Sequence, residues 1–246
     1  MELGRVFQAT LPINSAMAPM ARRLAALPPP AAPAWADWTA GARADHLRHS
    51  EPLKRPQEQT GVELSGVVAH LNEVLPDDAV ISNGAGNYTV WVHRFYRYRS
   101  PGTELAPTNG AMGYGLPAAI AAKLHRPERT VVCFAGDGCF MMYPQELATA
   151  VQFNAAVIVL VVNNSMLGTI RMHQEREYPG RVSGTQLVNP DFVAFARSFG
   201  AHAERVLEDA AFPAAFERAR ASGKPALIEL VTDPLQITPQ ARLPRA

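Results

Sequence analysis

The residues with the clearest chemical potential are Asp137, set between Gly136 and Gly138, and the pair Asn163-Asn164, one helix and one strand further along. A carboxylate and an amide oxygen are hard ligands of the kind that Mg²⁺ or Ca²⁺ takes. The glycines beside the acid let main chain approach an anion closely. A helix beginning after Gly138 would aim N–H groups at a phosphate. Two side chains leave most of a metal's shell open, and phosphate oxygens would complete it. The pattern therefore points to a metal that bridges the protein to a diphosphate. The plainer alternative is a strand-end turn whose aspartate caps a helix, and the Asn pair after the next buried strand weighs against it.

These residues need a scaffold that brings three turns together. Val62–Leu75 is predicted helical from its apolar spacing, and Ala79–Ser82 is a short strand that runs into the turn Asn83–Asn87. Helices are expected over Thr89–Tyr96, Met112–Leu124 and Pro144–Phe153. Thr130–Ala135 and Ala156–Val162 are apolar strands, and the second is a β-branched run of the kind covered on both faces of a parallel sheet. The pattern continues with helix Asp191–Phe199, strand Ala201–Val206, helix Ala210–Ala221 and strand Ala226–Val231. Such alternation predicts an α/β fold, a doubly wound and mostly parallel sheet with helices on both faces. The turns at 83–87, 136–138 and 163–164 all follow strands, and ligands of such sheets bind at the strands' carboxyl ends.

Composition fits that scaffold. The chain has 246 residues, 48% hydrophobic and 18% charged, enough for a substantial core and far from a disordered composition. Lys plus Arg number 23 against 22 acidic residues, for a net charge of +1, which argues against nucleic-acid partners. The longest apolar run, Ala155–Val162, is far short of the ~20 residues that span a bilayer. The first residues show no signal-peptide pattern, and the two cysteines form neither a CxxC nor a disulfide framework. A cytoplasmic location follows as the expectation. A short amphipathic helix is expected within residues 12–27, then a stiff Pro-rich linker over 28–60 in which Trp35 and Trp38 pin the chain to another surface. The main domain is expected over 61–235 and a tail over 236–246.

Three stretches carry a family resemblance. Gly136-Asp137-Gly138, the run from Phe140 to Val162, and Asn163-Asn164 together resemble the thiamine-diphosphate-binding motif. The run Gly110–Lys123 and, more loosely, Ile81–Trp91 are also similar to the C-terminal cofactor domain of the acetolactate synthase and 2-oxo acid decarboxylase family. The resemblance covers about residues 61–235, and residues 1–27 resemble the end of that family's central domain.

The resemblance implies the following roles. Asp137, Asn164 and the main-chain carbonyl of Met166 would bind Mg²⁺. Gly136, Gly138 and Cys139 would line the diphosphate, as would Ala85, Gly86, Asn87 and Tyr88 of the first turn, which departs from the Gly-Gln-His pattern of acetolactate synthases. Met112 would wedge the cofactor into its bent conformation, with the Gly110 carbonyl and the Met112 N–H on the aminopyrimidine edge. In that conformation the pyrimidine's own amino group serves as the base at the thiazolium carbon, which then attacks a 2-oxo acid and releases CO₂. The family's activating glutamate comes from an N-terminal domain, and the resemblance assigns no residue of this chain to it. The implied protein is the cofactor domain of an acetolactate-synthase-like carboligase or decarboxylase, with that domain or a partner chain as its complement. A non-synthase 2-oxo acid decarboxylase subunit and a cofactor module inert on its own are the alternatives. Flavin is left open, since most of the domain that would hold it is absent.

Other residues keep two readings. Cys133 is expected in the core, and Cys139 is either a reactive thiol or a small residue beside a phosphate contact. His173 stands where acetolactate synthases carry a substrate-reading Trp, implying a different acceptor, or it is simply solvated. Arg171 meets a substrate carboxylate or belongs to a charged helix face with Glu175, Arg176 and Glu177. The aromatic and basic stretch Trp91–Arg99, together with Trp35 and Trp38, predicts an exposed interface and a homo- or hetero-oligomer, such as a dimer. GAMGYG is not GxGxxG, and no acid lies at the right distance, which argues against a dinucleotide site.

Overall fold

The computed structural model describes residues 3–55 and 57–244. Met1, Glu2, Pro56, Arg245 and Ala246, the ends of the expected N-terminal and tail segments and one linker position, lie outside the described residues. The chain divides into two compact units, Met1–Leu47 and Arg48–Ala246.

The first unit holds helix α1 (Met17–Ala25) and most of helix α2 (Ala36–His49). The second helix corrects the expectation of a stiff linker. Its prolines cluster before Ala36, and Asp37 sits in its first turn, where an acidic side chain suits the helix dipole. Trp35 and Trp38 are 58% and 75% exposed.

The second unit is built on six parallel strands: β1 (Val80–Asn83), β2 (Glu104–Leu105), β3 (Val131–Gly136), β4 (Ile158–Asn163), β5 (His202–Val206) and β6 (Ala226–Val231). Their order across the sheet is β2-β1-β3-β4-β6-β5. Alternate side chains point to opposite faces. Val132, Phe134, Ile158 and Leu160 join one core layer, while Val131, Cys133, Val159 and Val161 join the other. The first layer is covered by α3 (Leu64–Val74), α4 (Thr89–Phe95) and α10 (Phe212–Ala221). The second is covered by α5 (Gly115–His125), α7 (Glu146–Gln152) and α9 (Phe192–Ser198). This is the doubly wound architecture, and it explains why β4 is apolar at every position from Ile158 to Val162.

The connection after β1 leads outward to β2, while the connection after β3 leads the other way to β4. A crevice therefore opens between the carboxyl ends of β1 and β3, at the topological switch point. Helix α5 starts at Gly115 rather than Met112, because Gly110 and Gly113 hold φ of +67° and +84°, outside helical geometry. Residues 110–114 thus form a turn over the crevice. Two short elements escaped expectation: β2, and the single turn α6 (Asp137–Phe140). Helix α8 (Gly168–Glu177) follows the Asn163-Asn164 turn.

Trp91, Phe95 and Tyr96 are buried in the first core layer, which corrects the expectation of an exposed aromatic interface. The nearby arginines bond this chain's own groups. Arg94 Nε donates to the His49 carbonyl at 2.7 Å, and Arg99 Nη2 donates to that of Asn72 at 2.7 Å. Residues 236–244 fold back rather than trail: Ile237 and Leu243 are buried, and Arg242 pairs with Asp233 at 2.9 Å.

Candidate functional site

A cleft of about 910 Å³, its open mouth included, lies at the carboxyl ends of β1, β3 and β4. Apolar walls come from Val62, Leu64, Trp91, Val162, Leu167 and Ile237. Ala85, Gly86, Asn87 and Tyr88 line it from the first turn, Gly136, Asp137, Gly138 and Cys139 from the second, and Asn164 and Met166 from the third. Met112 lines it from the 110–114 turn, whereas Gly110 of the same turn does not reach the lining.

Asp137 is 3% exposed. Its Oδ1 accepts the Gly138 N–H at 2.9 Å, and its Oδ2 accepts the Asn189 amide at 2.8 Å. Burial pushes its carboxyl up from the ordinary aspartate range, and the Asn189 amide and the Gly138 and Ser165 N–H groups pull it partly back. No lysine or arginine lines the cleft among the described residues, so no side-chain cation offsets that charge. Asn164 Oδ1 accepts the Met166 N–H at 3.2 Å, and the Met166 carbonyl accepts the Gly168 N–H at 3.0 Å. Ser165 between them holds φ at +56°, a left-handed conformation that costs a non-glycine residue about 1–3 kcal/mol. The Asn163 oxygen supports it, accepting from the Ser165 N–H at 3.0 Å and hydroxyl at 3.2 Å. A carboxylate, an amide oxygen and a free carbonyl lone pair form a hard donor set that fits Mg²⁺, with open positions left for other oxygens.

Gly138 packs closely under the ends of flexible side chains, which would have to shift to admit a Cβ. A Cβ there would meet Leu167 Cδ2 at 2.9 Å and approach the Met112 methyl carbon to 3.8 Å. Met112 thus reaches over the second turn, and its side chain is 36% exposed rather than built into a core. A side chain on Gly84 would run into Cys139 Sγ. Tyr88 and Cys139 line the cleft, but their polar atoms are spent on bracing its walls. Tyr88 donates to Cys139 Sγ at 3.4 Å, and the Gly84 N–H donates to the Tyr88 hydroxyl at 3.1 Å. Burial raises the Tyr88 phenol well above its ordinary range. Asn87 accepts the Thr169 hydroxyl at 2.8 Å, tying the first turn to α8.

The remaining candidates lie elsewhere. Cys133 is buried in β3, and burial pushes its thiol up to about 12. Arg171 pairs with Glu175 at 2.7 Å, as the charged-face reading expects, and is outside the lining. His173 is exposed and is also outside it. Asp233 and Asp137 are the carboxylates that line the cleft among the described residues. Asp233 is occupied: burial raises its pKa, but the Thr60 and Leu235 N–H groups and Arg242 outweigh this and hold it below the ordinary range. Glu104 lies in β2, 3.6 Å from His93, and Glu146 accepts the Thr149 hydroxyl at 2.8 Å. Sequence reasoning missed Asn189. Asn189-Pro190-Asp191 reads as the start of a helix, and Asp191 does cap α9 through the Val193 and Ala194 N–H groups, both at 3.1 Å.

A family model described as the C-terminal TPP-binding domain of thiamine pyrophosphate enzymes matches residues 84–230. The chain is 37% identical over 172 residues to the mitochondrial acetolactate synthase catalytic subunit of Aspergillus candidus, covering 70% of this chain and 24% of that one. It is 33% identical to the acetolactate synthase isozyme 2 large subunit of Escherichia coli K12, covering 69% of this chain and 31% of that one. The thiamine diphosphate-dependent 4-hydroxybenzoylformate decarboxylase of Rhodococcus jostii RHA1 superposes with a TM-score of 0.68 at 28% identity, covering 74% of this chain and 34% of that one. The chain therefore spans a quarter to a third of the length of these relatives. With more than half of its residues in the family match, and with the three turns gathered at one cleft, the chain belongs to the thiamine pyrophosphate enzymes and carries their C-terminal TPP-binding domain.

Proposed function

We propose that the cleft binds thiamine diphosphate together with Mg²⁺ and forms the cofactor half of an acetolactate-synthase-like enzyme that decarboxylates or ligates 2-oxo acids. The observation that carries this reading is the buried Asp137 carboxylate in a cleft that, among the described residues, no lysine or arginine lines. A diphosphate placed there needs a cation, and Asp137, Asn164 Oδ1 and the Met166 carbonyl are the oxygens that would hold one. When bound, thiamine diphosphate supplies the carbon nucleophile and the electron sink for loss of CO₂ from a 2-oxo acid. The chain's own residues orient and enclose. Gly136 and Gly138 keep the second turn low, Met112 and Leu167 reach over it, and the apolar wall excludes water from the reacting end.

The acid that activates the pyrimidine is a separate matter. Asp137 faces the metal side, Asp233 is held by Arg242, and Glu104 and Glu146 are engaged outside the cleft. The reading therefore takes the activating glutamate from another domain or another chain, makes residues 1–246 inactive alone, and makes the working enzyme an oligomer. The two free, buried cysteines suit a reducing cytoplasm. A decarboxylase that performs no ligation is the second reading, favoured by the 4-hydroxybenzoylformate decarboxylase neighbour.

The test is CO₂ release from pyruvate and benzoylformate with thiamine diphosphate and Mg²⁺ saturating. The chain alone should give none. Addition of a separately expressed pyrimidine-side domain from an acetolactate synthase should restore turnover, because such acid–base assistance is worth ~10²–10⁴-fold. Robust turnover by the chain alone would contradict the reading.

A further inference from the structure

A hydrogen-bonded chain of polar side chains runs from Asp137 into the sheet. Asn189 Nδ2 donates to Asp137 Oδ2 at 2.8 Å and to Asn163 Oδ1 at 3.0 Å. Asn163 Nδ2 donates to Glu229 Oε1 at 2.7 Å. Glu229 is 2% exposed and accepts Arg205 Nε on its other oxygen at 2.6 Å. Arg205 Nη2 reaches Asp191 Oδ1 at 3.0 Å.

The direction of this chain is set chemically. An ionised carboxylate only accepts, so Glu229 obliges Asn163 to turn its NH₂ inward. That leaves the Asn163 oxygen facing Asn189 and Ser165. Asn189 must then present its NH₂ to both the Asn163 oxygen and the Asp137 carboxylate. Each amide has one orientation that satisfies every partner, and the charge buried at Glu229 selects it.

The same segment also grips the third turn. Leu167 N–H donates to the Thr185 carbonyl at 2.8 Å, and Leu187 N–H donates to the Ser165 carbonyl at 2.9 Å. Leu187 Cδ1 stands 3.2 Å from where a Cβ on Gly138 would lie. Residues 185–189 therefore touch both turns that bear the candidate metal ligands.

We propose that Asn189, oriented by Asn163 and Glu229, is a positioning residue that fixes Asp137 and the Asn164–Met166 turn in a common register for the divalent cation. This rests on the reading of Asp137 as a metal-holding carboxylate. Loss of such an outer partner typically costs ~10–100-fold in metal affinity.

The experiment uses the whole chain at fixed thiamine diphosphate and titrates Mg²⁺, in the parent, in Asn189→Ala and in Asn189→Leu. The leucine variant fills the vacated volume without a donor, which keeps the test decisive if the alanine variant folds poorly. Melting in chelator records the metal-free fold. The half-saturating Mg²⁺ concentration should rise ~10–100-fold in the variants, with the metal-free melting temperature little changed. A purely structural role for Asn189 would move the melting temperature and leave the half-saturating concentration of the folded protein in place. A half-saturating concentration within twofold of the parent's would overturn the inference alone. No Mg²⁺-dependent binding by the parent would remove the metal reading, and the inference with it.

Discussion

The Tyr88 hydroxyl lies 3.4 Å from Cys139 Sγ, and the buried N–H groups of Gly84 and Gly113 donate to these two atoms at 3.1 and 3.2 Å. One pair of side chains thus joins the first turn, the 110–114 turn and the aspartate-bearing turn. Tyr88→Phe leaves the buried Gly84 N–H without its acceptor. An orphaned buried donor costs about 1–3 kcal/mol. The urea midpoint of the variant should fall accordingly with an unchanged slope. Cys139→Ser keeps both a donor and an acceptor and should cost less than Tyr88→Phe. The opposite ranking would show that the brace is not what holds these turns.

The second prediction follows from the direction of the Asp137 shift. Burial raises its pKa in the metal-free fold, so the folded state takes up a proton at a higher pH than the unfolded chain does. The folded chain thus gains stability from this group as pH falls through the raised pKa, and loses that gain as pH rises through it. A proton and Mg²⁺ compete for the same carboxylate. Mg²⁺ affinity should therefore begin to fall on acidification at a pH above the ~3.9 of an ordinary aspartate. Calorimetric titrations between neutral pH and mild acid measure this, and an affinity flat to ~4 would contradict it.

Met112 gives a prediction that separates binding from turnover. Its side chain is partly exposed, so Met112→Ala should change the stability of the metal-free chain by less than ~0.5 kcal/mol. Cofactor affinity should drop only a few-fold. Turnover of a reconstituted enzyme should drop much further, since a bulky apolar group is needed to hold the cofactor bent. Equal losses in affinity and turnover would assign Met112 to plain contact.

Much of this architecture was legible in the chain. The β-branched run of β4 and the three punctuated turns mark strand ends because continuous apolar stretches and glycine-flanked polar residues carry strong local signals. Helix α2 was not legible, since it buries no residue and so has no apolar stripe to reveal it. Hydropathy starts α5 three residues early, at Met112, because the sign of φ at Gly113 is not written in it. Trp91 and Phe95 read as surface because charged neighbours surround them in sequence, yet α4 turns its aromatic side onto α3. Asn189 was invisible for another reason. Its partners Asp137 and Asn163 are distant in sequence, and only the sheet order brings them within 3.0 Å.

The central claim is that Asp137 holds a divalent cation that in turn holds thiamine diphosphate. Isothermal titration of thiamine diphosphate into the chain, with Mg²⁺ and then with chelator, tests it most directly, with Asp137→Ala as the companion protein. Saturable one-site binding that needs Mg²⁺ and vanishes in a well-folded Asp137→Ala is the predicted result. Binding of equal affinity in chelator, or in the variant, would contradict the account.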